Sequence, residues 1–475
     1  MPDAALIPDN LSRSRRWILL SACVGAFMAT LDTSIVTIAL PVMAREFHGS
    51  LEHISWVMTI YILINVSFLL TSGRLGDLLA PGKLYLLGIL VFTGASVLCG
   101  LSPGLSYLVG ARALQGLGAS LMLGLAPKLI ALSYAEGERG LPLGLFSTAF
   151  ATGITVGAPL GGVITACLGW PFIFFINIPI CGLIFLLGSR ALVKLPAQAP
   201  WDPRAFDLWG GVILAGCLGS LMLALGRLRQ TGWGDGWTLG TLALAAVFFG
   251  MLLRLERGQA VPLLQRELWR SRAFALGSMA VVLTFAAVMG TFFLLPFFLD
   301  QVYGYTPGQA GLLLAVVSGA NALVAPLGGY LADRLGNMRI LRLGSGLIVL
   351  GLGSLLFTGP DNSTLALAGR LAVIGTGFGM FQAPNLNEVL RGVTPSFIGL
   401  AAGTNAVLKN LGTLLGITLM VTAYSWINLH PVSLGPAGGL GMASFHLAFA
   451  GAVAVGAVNF LVNLLPRESR SKNDA

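Results

Sequence analysis

The run Trp17-Ile-Leu-Leu-Ser-Ala-Cys-Val-Gly-Ala-Phe-Met-Ala-Thr-Leu-Asp-Thr-Ser-Ile-Val-Thr-Ile-Ala-Leu-Pro-Val-Met43 carries a single charge, Asp32, and its reading decides the fold class. A hydrocarbon core about 30 Å thick takes roughly twenty residues of helix to cross, and this run is longer than that. Comparable apolar stretches recur as far as Leu465, separated by short turns that hold Gly, Pro and charges. The chain of 475 residues is 56% hydrophobic and 10% charged, where a soluble domain carries about 25% charged residues. Recurrence of this kind predicts an all-α polytopic membrane protein. The first run is also too long for the apolar part of a cleavable signal, so it is expected to persist as the first spanning helix.

Counting outward from that run gives about fourteen TM helices, at 17–43, 53–72, 84–102, 106–133, 141–166, 171–189, 207–226, 237–254, 273–299, 309–332, 340–358, 364–387, 398–426 and 444–465. Basic residues fix their orientation. With the N-terminus inside, the inner segments hold Arg13, Arg15, Arg16, Arg74, Lys83, Arg139, Arg190, Lys194 and many more, whereas the outer ones hold only Arg45, Arg227 and Arg229. A cell membrane protein with both termini cytoplasmic is expected. The net charge of +9 is shared among separate turns, and no single basic face forms, which argues against nucleic acid as a partner. The five cysteines lie in apolar stretches without a CxxC pair and are read as small core residues. The histidines show no metal spacing, and no metal or cofactor is expected. No P-loop is present to couple ATP, and no nucleophile motif to suggest an enzyme.

The chain repeats itself. Gly73-Arg-Leu-Gly-Asp77 closes the second helix and Gly329-Tyr-Leu-Ala-Asp333 the tenth; Arg112 with Gln115, Gly116 and Gly118 follows the first, and Arg370 with Gly375, Gly377 and Gly379 the second. Two pseudo-symmetric six-helix bundles are expected, at 17–192 and 273–465, with two extra helices at 207–254. Linkers at 193–206 and 255–272 join them, and cytoplasmic tails fall at 1–16 and 466–475.

At these motifs the sequence resembles the major facilitator superfamily, and within it the fourteen-helix drug:H⁺ antiporter branch. Leu31-Asp-Thr-Ser-Ile-Val-Thr-Ile-Ala-Leu-Pro41 resembles that branch's first-helix signature, Trp56-Val-Met-Thr-Ile-Tyr61 its second-helix start and Phe174-Phe-Ile-Asn-Ile-Pro179 its sixth. Arg112-Ala-Leu-Gln-Gly116 is similar to the fourth-helix motif associated with proton transfer, and 153–162 to the fifth-helix antiporter motif. The resemblance implies a major facilitator fold and a secondary transporter. Three departures stand out. Asp77 is followed by Leu78-Leu-Ala-Pro-Gly-Lys83 where basic residues are usual, Pro159 falls one place late, and Pro171 replaces a common basic residue.

Asp32 is the strongest candidate for chemistry. An ionised acid at mid-helix costs about 2.5–3.5 kcal/mol on insertion scales, so a carboxyl there is expected to exchange a proton as its surroundings change. Arg112, placed near the outer end of its helix, is expected to take part in proton coupling by lowering a carboxylate's pKa, or to hold an anionic substrate group, its bland alternative being a side chain that snorkels to the headgroups. A substrate cavity is expected from Gln115, Tyr61, Phe146, Phe150, Phe292, Asn321, Phe378, Gln382 and Asn405. Lys409 is expected to oppose cationic substrates, to pair with a carboxylate, or to snorkel. Gly153, Gly157 and Gly161, with Pro159 and Gly162, are expected to form a close-packed gating helix. Gly73, Asp77, Gly329, Asp333, Arg334 and Arg339 are expected to form cytoplasmic latches.

A proton crossing about 150 mV supplies roughly 3.5 kcal/mol, enough for a gradient of several hundredfold in a neutral solute. One central carboxylate therefore suffices for proton-coupled efflux of small lipophilic compounds by a monomer in the lipid bilayer, with the proton as coupling ion. A dedicated metabolite or lipid exporter, and a passive facilitator or channel, are the alternatives.

Overall fold

The computed structural model describes residues 9–134, 138, 140–193, 195, 208–231, 235–256, 266–391, 393, 398–429 and 438–466. All regular structure among them is α-helical. In chain order the helices are α1 (Asp9–Glu46), α2 (Leu51–Leu78), α3 (Pro81–Gly100), α4 (Leu105–Ser133), α5 (Gly140–Cys167), α6 (Phe172–Phe175), α7 (Asn177–Leu192) and α8 (Leu208–Thr231). They continue as α9 (Gly236–Glu256), α10 (Arg266–Arg270), α11 (Arg272–Tyr303), α12 (Pro307–Leu335), α13 (Asn337–Leu355), α14 (Thr364–Leu390), α15 (Ile398–Leu429) and α16 (Gly438–Leu464). Among the described residues twelve helices are long and apolar enough to cross a membrane, and 172–186 and 209–225 form two shorter apolar ones. Helices are the form that lets an apolar chain satisfy every backbone group internally in lipid.

The observed spans follow the expected ones closely, with three differences. First, α1 begins at Asp9 inside the expected N-terminal tail, because a helix already nucleated by its apolar part extends into polar flanks at little cost. Second, the expected sixth span is two helices. Pro179 has no N–H to offer the Phe175 carbonyl, so α6 stops at Phe175 and α7 starts at Asn177, while Ile176 between them keeps helical angles of φ −59° and ψ −25°. Third, α10 lies within the expected 255–272 linker, where its Leu268 packs into a buried cluster with Phe274, Val389 and Ala401. The rest of that linker, most of 193–206, and all but residue 466 of the expected C-terminal tail lie outside the described residues.

The chain forms two compact units, one of Met1–Ala39 with Trp56–Val212, the other of Leu40–Ser55 with Ile213–Ala475. In the first, small residues set how closely the helices approach. A Cβ added at Gly118 would lie 2.5 Å from the Phe92 nitrogen on α3, and one at Gly116 would lie 2.6 Å from the Tyr61 carbonyl on α2. The second unit uses the same device. A Cβ at Gly377 would lie 2.7 Å from the Gly344 carbonyl on α13, and one at Gly375 would lie 2.3 Å from the Val317 carbonyl on α12. Glycine thus holds α4 and α14 against their equivalent neighbours, as interfaces in lipid generally require. Helix ends in the second unit are capped: Ser271 and Ser363 accept from Phe274 N and Ala366 N, and Thr306 with Gln309 forms a capping box ahead of α12. Asp300 on α11 pairs in this unit with Arg45, whose side chain is largely exposed.

Candidate functional site

The site lies wholly in the first unit. Asp32 on α1 and Arg112 on α4 form an ion pair with both side chains 0% exposed. Asp32 Oδ2 accepts from Arg112 Nη1. Its other oxygen accepts from Gln115 Nε2 at 2.8 Å and from Asn177 Nδ2 at 3.0 Å. The same two amides donate to Ser96 Oγ, at 2.9 and 3.1 Å, and the Ser96 hydroxyl in turn donates to the Phe92 carbonyl at 2.8 Å. Helices α4 and α7 therefore meet the α1 carboxylate directly, and α3 joins them through Ser96.

Arg112 is held on every side. Its Nε donates to the Val57 carbonyl on α2 at 2.9 Å, and Nη1 also donates to Gln115 Oε1 at 2.6 Å. Its guanidinium carbon sits 4.2 Å from the centre of the Tyr61 ring and 5.8 Å from that of Phe174, where the ring faces favour a cation. Tyr61 is itself fixed, its hydroxyl donating to the Ala29 carbonyl at 3.1 Å. Two buried atoms of the cluster, Arg112 Nη2 and Asn177 Oδ1, have no hydrogen-bond partner among the described residues. Each carries a desolvation cost of about 1–3 kcal/mol or more.

Arg112 lies near the start of α4, and its side chain is turned onto Asp32 and enclosed instead of extending away as the snorkelling alternative had it. Gln115 and Tyr61, expected on a substrate cavity, belong to the same enclosed cluster. Ser96 and Asn177 went unassigned in the sequence, although Asn177 lies within the quoted sixth-helix signature. Cys99, buried and donating weakly to Gln115 Oε1 at 3.6 Å, and Cys181 are core residues as read; Cys167, at the end of α5, is exposed.

The glycines of α5 pack directly on the helix that carries Asp32. A Cβ at Gly153 would fall 2.1 Å from Thr30 Oγ1 and 2.5 Å from the Phe27 carbonyl; at Gly157, 2.5 Å from Ser34 Cβ; at Gly161, 2.7 Å from the Ile35 carbonyl. The contact is polar as well as close, because Thr30 Oγ1 and Ser34 Oγ each donate at 2.9 Å to α5 carbonyls, those of Phe150 and Ile154. Pro159 lies inside α5 and Gly162 is buried there. Phe146 is half-buried and Phe150 exposed.

Most of the remaining candidates belong to the second unit. In the second unit Gln382 donates to Asn321 Oδ1 at 3.2 Å, Phe378 stands edge-on to Phe285 with centroids 5.3 Å apart, and Asn405 is buried. Phe292 is partly buried on α11. Arg370, the apparent counterpart of Arg112, donates to Thr358 Oγ1 at 2.6 Å, a residue in the turn before α14. The side chain of Asp77 lies outside the described residues, and Gly73 and Gly329 have no neighbour closer than 3.7 and 3.8 Å to an added Cβ. Asp333, Arg334 and Arg339 are all exposed, and Arg334 lies over the Tyr330 ring at 4.6 Å rather than on Asp333.

Comparison with known proteins places this geometry in context. The family model of the Major Facilitator Superfamily matches residues 22–417. The multidrug resistance protein Stp of Mycobacterium tuberculosis (strain CDC 1551 / Oshkosh) is 31% identical over 411 residues, which cover 86% of this chain and 76% of that one. The riboflavin transporter RibZ of Clostridioides difficile (strain 630) is 31% identical over 404 residues, 85% of this chain and 87% of its own. A crystal structure of the peptide transporter POT aligns with a TM-score of 0.67 at 16% identity, over 94% of this chain and 93% of that one, a likeness of fold.

Proposed function

The chain belongs to the Major Facilitator Superfamily and is a multi-pass membrane transporter, not an enzyme; from that premise we propose that it exports small lipophilic compounds in exchange for protons, by alternating access. The observation that carries the reading is the enclosed Asp32–Arg112 pair. A buried ion pair contributes little net stability compared with apolar residues of the same size, so its presence in the core favours a switching role. Ionised, Asp32 draws Arg112, Gln115 and Asn177 onto itself and ties α1 to α4 and α7. A proton on the carboxylate cancels that attraction and leaves a guanidinium seeking another acceptor. The tie between the helices then depends on whether a proton is bound, which is what coupling requires.

The α5 glycines support the same reading, since they set α5 hard against the segment of α1 that carries Asp32. Export of drugs is supported by the likeness to Stp. Residence in the cell membrane with both termini cytoplasmic is supported by the bias of basic residues toward one side.

The test is dye efflux from proteoliposomes under an imposed pH gradient. The wild type drives dye against its gradient, and an uncoupler stops it. Asp32→Asn, expressed to the same level, abolishes gradient-driven flux. Retained driven flux in that variant overturns the coupling, and flux indifferent to the uncoupler points to a passive facilitator. A dedicated metabolite exporter is the second reading, favoured by the likeness to RibZ. Flux of riboflavin with none of any dye would establish it.

A further inference from the structure

In the second unit, Lys409 lies in the apolar interior of α15 with its ammonium 5.5 Å from the centre of the Phe285 ring on α11. Among the described residues no carboxylate pairs with it. The Phe285 ring is in turn edge-on to Phe378 of α14. One helical turn before Lys409, and so on the same face of α15, Asn405 is 3% exposed, and its Oδ1 has no hydrogen-bond partner among the described residues. The α14 ring has its own polar neighbour one turn on, Gln382, already bonded to Asn321.

Each of these features is costly alone. A cation at membrane depth is expensive, an aromatic face offsets that only in part, and a buried acceptor without a donor adds its own penalty. A single ligand relieves all three if it brings an anionic oxygen to Lys409 Nζ, a donor to Asn405 Oδ1, and a flat apolar body to Phe285 and Phe378. We propose that this cluster is a binding subsite for aromatic hydroxy acids, compounds with an ionised carboxyl and a phenolic hydroxyl meta to it, where the hydroxyl is free to donate to Asn405 and is not taken up by the ligand's own carboxylate. The proposal rests on the export reading for what happens to the ligand afterwards, and narrows its substrates toward anions. Simple lipophilic cations are repelled here.

The test is equilibrium binding of 4-hydroxy-2-naphthoate, and of its uncharged methyl ester, to purified full-length protein, followed by proteoliposome flux of both. The wild type binds the acid at least about tenfold more tightly than the ester, the effect of one charge-assisted hydrogen bond. Lys409→Arg keeps that ratio, and Lys409→Met brings it close to one; Lys409→Gln replaces Lys409→Met if the latter is not monodisperse. Asn405→Leu weakens acid and ester together, because both carry the hydroxyl. Equal affinity for acid and ester in the wild type, no binding of either, or a ratio unchanged in Lys409→Met overturns the subsite. Binding of the acid with the expected ratio but no flux of any compound sustains the subsite and overturns the export reading instead.

Discussion

The Asp32 carboxylate and the Arg112 guanidinium meet in a space closed to solvent, with Tyr61 covering the face of the cation. The two partners differ in what each can do when left alone. A carboxyl without its partner can neutralise itself by taking up a proton, whereas a guanidinium stays charged at any accessible pH. Breaking a buried pair from one side costs about 3–5 kcal/mol when the remaining charge persists. Asp32→Ala is therefore expected to destabilise the protein more than Arg112→Met does. The double variant is expected to be more stable than Asp32→Ala alone. Thermal unfolding of the four proteins in one detergent checks both orders, and equal losses from the two single variants would show that the remaining arginine finds another partner.

Asn177 brings a second measurable consequence. Its amide nitrogen lies 3.0 Å from Asp32 Oδ1 and 3.1 Å from Ser96 Oγ, so it steadies the carboxylate without carrying charge. A hydrogen bond to a charged group contributes about 1.5–3 kcal/mol. Asn177→Leu is expected to lower gradient-driven kcat/KM roughly tenfold or more, while passive permeation of the vesicles stays at its control value. Asn177→Gln, which keeps the amide but lengthens its reach, is expected to recover part of that loss. Rates for Asn177→Leu equal to wild type would remove the residue from the site.

What the sequence disclosed and what it withheld divide along physical lines. Whether a segment spans is a one-dimensional property, set by length and apolarity, so the helices fell close to their expected places. Asp32 was equally visible, because one acid in an apolar run is conspicuous. The surroundings of its partner were not. Where α4 sits against α2 and α3 is set by Gly116 and Gly118 meeting Tyr61 and Phe92, contacts that periodicity within one helix does not encode. Ser96 and Asn177 were hidden because isolated polar residues recur in every apolar stretch, and only the fold brings Asn177 onto the Asp32 carboxylate and Ser96 beneath its amide. The similar glycine registers also made Arg370 look like a second Arg112. The structure instead pairs Arg370 with Thr358.

The spacing of Gly153, Gly157 and Gly161 did announce a close helix contact, and the partner it meets makes the contact testable. At Gly153 an added methyl would collide with the Phe27 carbonyl at 2.5 Å, a backbone atom that cannot turn aside as a side chain would. Overpacking of this kind costs about 1–3 kcal/mol. Gly153→Ala is expected to lower the thermal stability and to depress driven flux by shifting α1, and with it Asp32. Gly144, earlier in the same helix, has nothing within 4 Å of an added Cβ; there alanine removes the helix cost of glycine, about 1 kcal/mol, and Gly144→Ala is expected to be neutral or stabilising. The pair separates the two roles a helical glycine can have. If both substitutions are tolerated alike, α5 does not bear on α1 during transport, and the glycine face is packing alone.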